Sequence, residues 1–177
     1  MWLILVFRIC LLTAFLFSAW KWGDWKHWER YYPSILFVMV VNLSVGYLGY
    51  QHSLWIFSPD ALVSTETVVE LLNSYVLLPA TTLLFLSNLP AKGWVEQWKH
   101  IFLWVFIYGA IEGLDHYFIG GISYDHGWSY GCSVLLDVAM FTIITTHYTR
   151  PLLGWAMTLA VAAGVVIAFE IFLAEMK

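Results

Sequence analysis

"MWLILVFRICLLTAFLFSAW", residues 1–20, contains a single charged side chain, Arg8. Two readings compete for such a run: a secretory leader that is removed, or a helix that stays in a bilayer. A leader starts with a basic segment and ends at a small-x-small cleavage site. Neither is present here, and Arg8 interrupts the apolar stretch. A membrane helix needs about 20 mainly apolar residues, and this run supplies them. The pattern predicts a first span over residues 2–20.

Composition extends that reading to the whole chain. Of 177 residues, 61% are hydrophobic and 11% charged. That is too little polar surface for a water-soluble domain of this size. Aromatics make up 19%, with eleven tryptophans, and Trp and Tyr favour the membrane interface. The chain is too short for a membrane unit plus a soluble domain, so residues 1–177 read as one transmembrane domain. The two cysteines, Cys10 and Cys132, both fall in expected spans. They support neither a disulfide framework nor a Cys-rich metal site, and read as small apolar packers.

Five further segments have the length and character of spans: about 33–51, 68–89, 99–119, 129–147 and 152–173. The expected fold is therefore all-α, a bundle of about six transmembrane helices. Pro33 and Pro151 stand at helix starts, where a missing N–H is harmless. Pro79 lies inside the third span and predicts a kink.

The connections alternate in charge. Lys21, Lys26, Arg30, Lys92, Lys99 and Arg150 lie in or beside loops 1, 3 and 5, whereas loops 52–67 and 120–128 contain no basic residue. The positive-inside rule then places loops 1, 3 and 5 in the cytoplasm and both termini outside. The expected location is the cell membrane, with the lipid bilayer as the first partner. Loop 1 carries Trp20, Trp22, Trp25, Trp28, Tyr31 and Tyr32 among its charges. It reads as an interfacial helix or belt. Its three basic residues are too few to suggest a nucleic-acid partner.

The segment "IEGLDHYFIGGISYDHGWSY", residues 111–130, begins as a membrane helix and then carries acids and histidines. At about 100° per residue, Tyr108, Glu112, Asp115 and His116 share one stripe of the fourth helix. Gly109 and Gly113 form a G-x-x-x-G on a neighbouring face, which allows close helix approach. Tyr130, Ser133 and Asp137 share a face of the fifth helix. Glu70, Asn73 and Ser74 do so on the third, and Asn42 lies in the second with Gly46 one turn on. His52, Asp125 and His126 fall at the outer mouth.

Ionisable groups in a membrane are costly and normally face the bundle interior. The expectation is a polar cavity open to the outside, built from helices 2 to 5. Glu112, Asp115 and Asp137 are the candidate catalytic acids. His116, Asp115, Glu112, His126 and His52 are candidate ligands for a divalent metal such as zinc. Asn42, Glu70, Asn73, Tyr108 and Ser133 would line the cavity. Bland readings stand beside these. Glu112 and Asp137 could be interhelical hydrogen-bonding glue, His116 a core histidine, and Asp125 and His126 solvated surface. Arg8 would snorkel to the interface or pair with an acid.

Three function classes stay open. A membrane enzyme could use a metal or acid/base chemistry on a lipid-borne or small-molecule substrate. Yet E-x-x-D-H is no standard zinc motif, and no nucleophile elbow or P-loop is present. An ion- or proton-coupled transporter would suit the intramembrane acids, with homo-oligomerisation completing the path. A non-catalytic accessory or sensor protein is the third class.

The pieces "YYPSILFVMVVNL", "LLPATTLLFLSNLP", "IEGLDH", "SYDHGWSYGCSVLLDVAMF" and "HYTRPLLGW" resemble a family of small, uncharacterised multi-pass membrane proteins of Bacillus- and Clostridium-type bacteria. The likeness runs from Tyr31 to Trp155. It implies a several-helix protein of the cell membrane, and it brings no activity to any residue.

Overall fold

The structure is a computed structural model that describes residues 1–49 and 51–171. Helices α1 (Trp2–Trp22), α2 (Tyr32–Leu48), α3 (Glu66–Leu72), α4 (Leu78–Ser87), α5 (Trp94–Leu114), α6 (Tyr130–Thr149) and α7 (Pro151–Ala168) form the body. Strands β1 (Trp55–Phe57) and β2 (Ile122–Tyr124) form a short antiparallel ribbon. The described residues are thus all-α but for that ribbon. Among the described residues, four helical segments are long and apolar enough to cross a membrane: Trp2–Trp22, Glu66–Ser87, Tyr130–Thr149 and Pro151–Ala168. The α2 helix is apolar but only 17 residues long, and α5, with 21 residues, is not among the four. Tyr50 and residues 172–173, at the ends of the second and sixth expected spans, lie outside the described residues, as does the C-terminus.

Local chemistry sets the helix ends. Pro33 and Pro151 fall in the first turns of α2 and α7, as their fixed φ favours. Ser129 caps α6, its hydroxyl accepting from the Cys132 N–H. Between α3 and α4 the backbone widens to π register over Asn73–Leu77, just ahead of Pro79. The disturbance expected at Pro79 therefore takes the form of a π turn. A second π turn, Asp115–Ile119, extends α5 and ends at Gly120, whose φ of 78° suits glycine.

The core centres on α4. Residues Ala80–Leu86 are all buried, and Phe85 is wholly enclosed with Phe141 of α6, ring centroids 4.9 Å apart. Trp104 of α5 packs edge-on to Phe85 at 5.9 Å. The outermost helix is α7, with only 6% of its apolar window buried.

Specific contacts gather the loops at two ends. At the basic end, the Asp24 N–H donates to Ser87 Oγ at 2.9 Å and Asn88 Nδ2 to the Trp22 carbonyl at 3.3 Å. There Ser34 of α2 also meets His147 of α6, Oγ to Nδ1 3.0 Å. The expected belt in loop 1 is an exposed 3-10 helix, Trp25–Arg30. At the other end the ribbon pairs Trp55 with Tyr124, Ile56 with Ser123 and Phe57 with Ile122. It was not expected from the sequence. Arg8 lies at this end too, paired with Asp60 and donating from Nη2 to the Ser58 carbonyl at 3.0 Å.

Candidate functional site

The residues expected to share one cavity fall into three neighbourhoods. The first is an acid–tyrosine core where α5, β2 and α6 meet. The Tyr124 hydroxyl donates to Glu112 Oε1 at 2.6 Å. Burial, and then the Glu112 carboxylate, push the Tyr124 phenol above its ordinary pKa, so it remains the donor. Asp137, 8% exposed, has an Oδ2 that is buried without a hydrogen-bond partner. Glu112 is near enough to act on it electrostatically. Buried polar atoms are nearly always satisfied, so Asp137 is the departure here. Its neighbours are occupied elsewhere. Tyr108 donates to Thr81 Oγ1 at 2.8 Å, Tyr130 to the Gly109 carbonyl at 2.8 Å, and Trp128 Nε1 to Ser133 Oγ at 2.9 Å. Gly109 and Gly113 are where α6 comes close: a Cβ on either would stand 3.3 or 3.2 Å from the Tyr130 hydroxyl.

The second neighbourhood is the turn from α5 into β2. Asp115 Oδ1 accepts from the Gly121 N–H at 3.0 Å. Its carboxylate fills the space that a side chain at residue 121 would need. His116 Nδ1 lies 3.1 Å from the Ile122 carbonyl. A carbonyl only accepts, so Nδ1 carries the hydrogen. The His116 ring also leans on Tyr124, centroids 4.5 Å apart. By the ribbon, the His126 ring packs tilted against His52, centroids 3.8 Å apart, and donates from Nδ1 to the Ser53 carbonyl at 3.1 Å. Asp125 is exposed, 3.9 Å from His126.

The third neighbourhood joins α2 to α3. Asn42 Nδ2 donates to Ser74 Oγ at 2.7 Å, and Ser74 donates to the Glu70 carbonyl at 2.8 Å. The Glu70 carboxylate rests over Gly46, where an added Cβ would stand 3.1 Å from Oε2. Asn73 opens the π turn. This neighbourhood borders a partly enclosed cavity of about 270 Å³ between α2, α6 and α7. Asn42, Glu70 and His52 line it, whereas Glu112, Asp115, His116, His126, Asp137, Tyr108 and Ser133 do not.

Glu112 and Asp137 therefore interact electrostatically across α5 and α6, and Asp115 and His116 each serve the α5–β2 turn. His52 and His126 meet each other. Among the described residues, no three His, Cys, Asp or Glu side chains form a group that could hold a metal ion. Sequence reading missed Tyr124, the donor to Glu112, because its partner lies across a ribbon with no local signature. It also missed the apolar lining of the cavity, which is indistinguishable from ordinary helix packing in the sequence.

No protein-family model matches the chain, and neither curated proteins nor solved structures give a match.

Proposed function

We propose that the chain is a six-pass protein of the cell membrane that takes up and releases a proton at the Glu112–Tyr124–Asp137 core, as a proton-coupled transporter or a proton-responsive sensor. In this reading α2 and α5 join the other four apolar segments as spans. The basic end faces the cytoplasm and the ribbon faces outward. The grouping of loops 1, 3 and 5 at one end supports that orientation, as does their share of Lys and Arg. The resemblance to small multi-pass membrane proteins of Bacillus- and Clostridium-type bacteria agrees with it.

One observation carries the proton reading: the buried Oδ2 of Asp137 has no hydrogen-bond partner, while Glu112, whose charge reaches it, is held by Tyr124. Intramembrane acids of this kind typically serve proton or ion movement. A proton needs no cavity, and neither carboxyl lines the one described. Acid/base catalysis on a lipid-borne substrate, the second reading, needs the same carboxyls to face open space.

Infrared difference spectra between pH 5 and pH 8 test this directly. A carboxylic-acid C=O band should appear in wild type and vanish in Glu112→Gln or Asp137→Asn. Spectra without such a band in wild type would end the proton reading. Proton flux in vesicles loaded with a pH dye then separates a transporter from a sensor.

A further inference from the structure

The cavity between α2, α6 and α7 is separate from the acid–tyrosine core and does not depend on it. Along α2 its lining runs from Phe37 to Gly49. Twelve residues of helix span about 18 Å, so the space is elongated. Its long walls are apolar, with Val41, Met140, Val161 and Val165 among them. Polar and aromatic groups stand toward the ribbon end, where Glu70, His52, Trp55 and Trp128 line it, with Asn42 about one turn of α2 further in than Gly46. The volume, about 270 Å³, is near the lower limit of small-molecule sites, roughly 300–1,000 Å³.

The polar end has a definite sign. The Glu70 carboxylate makes no hydrogen bond or ion pair among the described residues, and Glu66 adds a second negative charge nearby. Among the described residues no lysine or arginine lines the cavity, and His52 is its one histidine. Asn42 spends its N–H on Ser74, which leaves its amide oxygen to accept. Trp55 and Trp128, centroids 5.4 Å apart, offer ring faces that attract cations. A partly desolvated carboxylate with acceptors and indole rings suits an ammonium. Gly46 makes room for that carboxylate.

We propose that this cavity binds a small amphipathic amine, its single apolar tail lying along α2 and its ammonium paired with Glu70.

The test uses full-length protein in phosphatidylcholine vesicles and decylamine bearing a photoreactive diazirine on its tail. Labelling should saturate, map to peptides of α2, α6 and α7, and be displaced by decylamine but not by decanol. Glu70→Gln should weaken apparent affinity about tenfold while leaving labelling by the matching alcohol unchanged. Ala162→Phe, which fills the cavity, should remove both. Where Glu70→Gln fails to fold, Gly46→Ala, which crowds the carboxylate, takes its place. Equal labelling by amine and alcohol, an amine preference that survives at Glu70→Gln, or labelling that never saturates would each overturn the proposal.

Discussion

Arg8 of α1 and Asp60, in the segment after β1, form an ion pair in which the Asp60 side chain is fully buried. Asp60 Oδ1 also accepts from the N–H groups of Leu62 and Val63, each at 2.8 Å. Burial alone would raise this carboxyl. The backbone hydrogen bonds and Arg8 outweigh it and hold Asp60 below the usual carboxylate value. The lone charge of the first apolar run is thus a tie between α1 and the ribbon end.

Removing Arg8 leaves a buried, uncompensated carboxylate. Arg8→Ala should cost about 3–5 kcal/mol, read from thermal unfolding in detergent. The pH dependence has a fixed sign. Because the folded value is depressed, the stabilisation is present above the unfolded carboxyl value of about 3.9. It fades as pH falls through the lower folded value. Asp60→Asn should flatten that acid limb; an unchanged limb would show that the pair does not set it.

The ribbon end rests on Gly121, whose missing side chain admits the Asp115 carboxylate. Gly121→Ala should open the α5–β2 turn. Limited proteolysis between residues 119 and 127 reports it as faster cleavage, with the body of the bundle intact.

At the basic end, a Cβ on Gly154 would stand 2.6 Å from the Cβ of His147. His147 is itself stacked on Phe37 at 4.0 Å and bonded to Ser34. Gly154→Ala should destabilise by roughly 1–3 kcal/mol as α7 is pushed off α6. A melting temperature equal to wild type would show that α7 shifts without cost.

Tyr124→Phe removes the donor to Glu112 and should cost about 1–3 kcal/mol. Paired with Glu112→Gln in a double-mutant cycle, the effects should be strongly non-additive. Additive losses would separate the two groups energetically.

In cysteine-less protein, single cysteines at Ser58 and Lys92 should label from opposite faces of the membrane. Labelling of both from one face would remove the six-pass arrangement.

Much of the helical body was legible because apolar runs of membrane length mark themselves. The expected segment 129–147 is Tyr130–Thr149, and 68–89 is Glu66–Ser87. Polar stripes were legible in part: of Tyr130, Ser133 and Asp137, which share one face, Tyr130 packs against Gly109 and Gly113 of the Glu112 helix and Asp137 feels the Glu112 charge. The ribbon was not, because three-residue strands carry no periodicity and its halves lie far apart in sequence. Nor was the choice of Asp60 as Arg8's partner, which depends on how a loop folds back. The cavity escaped for a different reason. Its walls are the same valines, alanines and methionines that pack helices elsewhere, and only their three-dimensional mismatch leaves a space.

The ribbon also imposes an order of assembly. Phe57 pairs with Ile122, and α3, α4 and α5 lie between them in the chain. Synthesis runs from the N-terminus, so β1 emerges long before it has anything to pair with. Until β2 follows, its exposed N–H and C=O groups are an open edge. The ribbon therefore closes only after α5 is in place. It acts as a late latch that joins the first half of the chain to the second, and a chain stalled before residue 122 cannot form it.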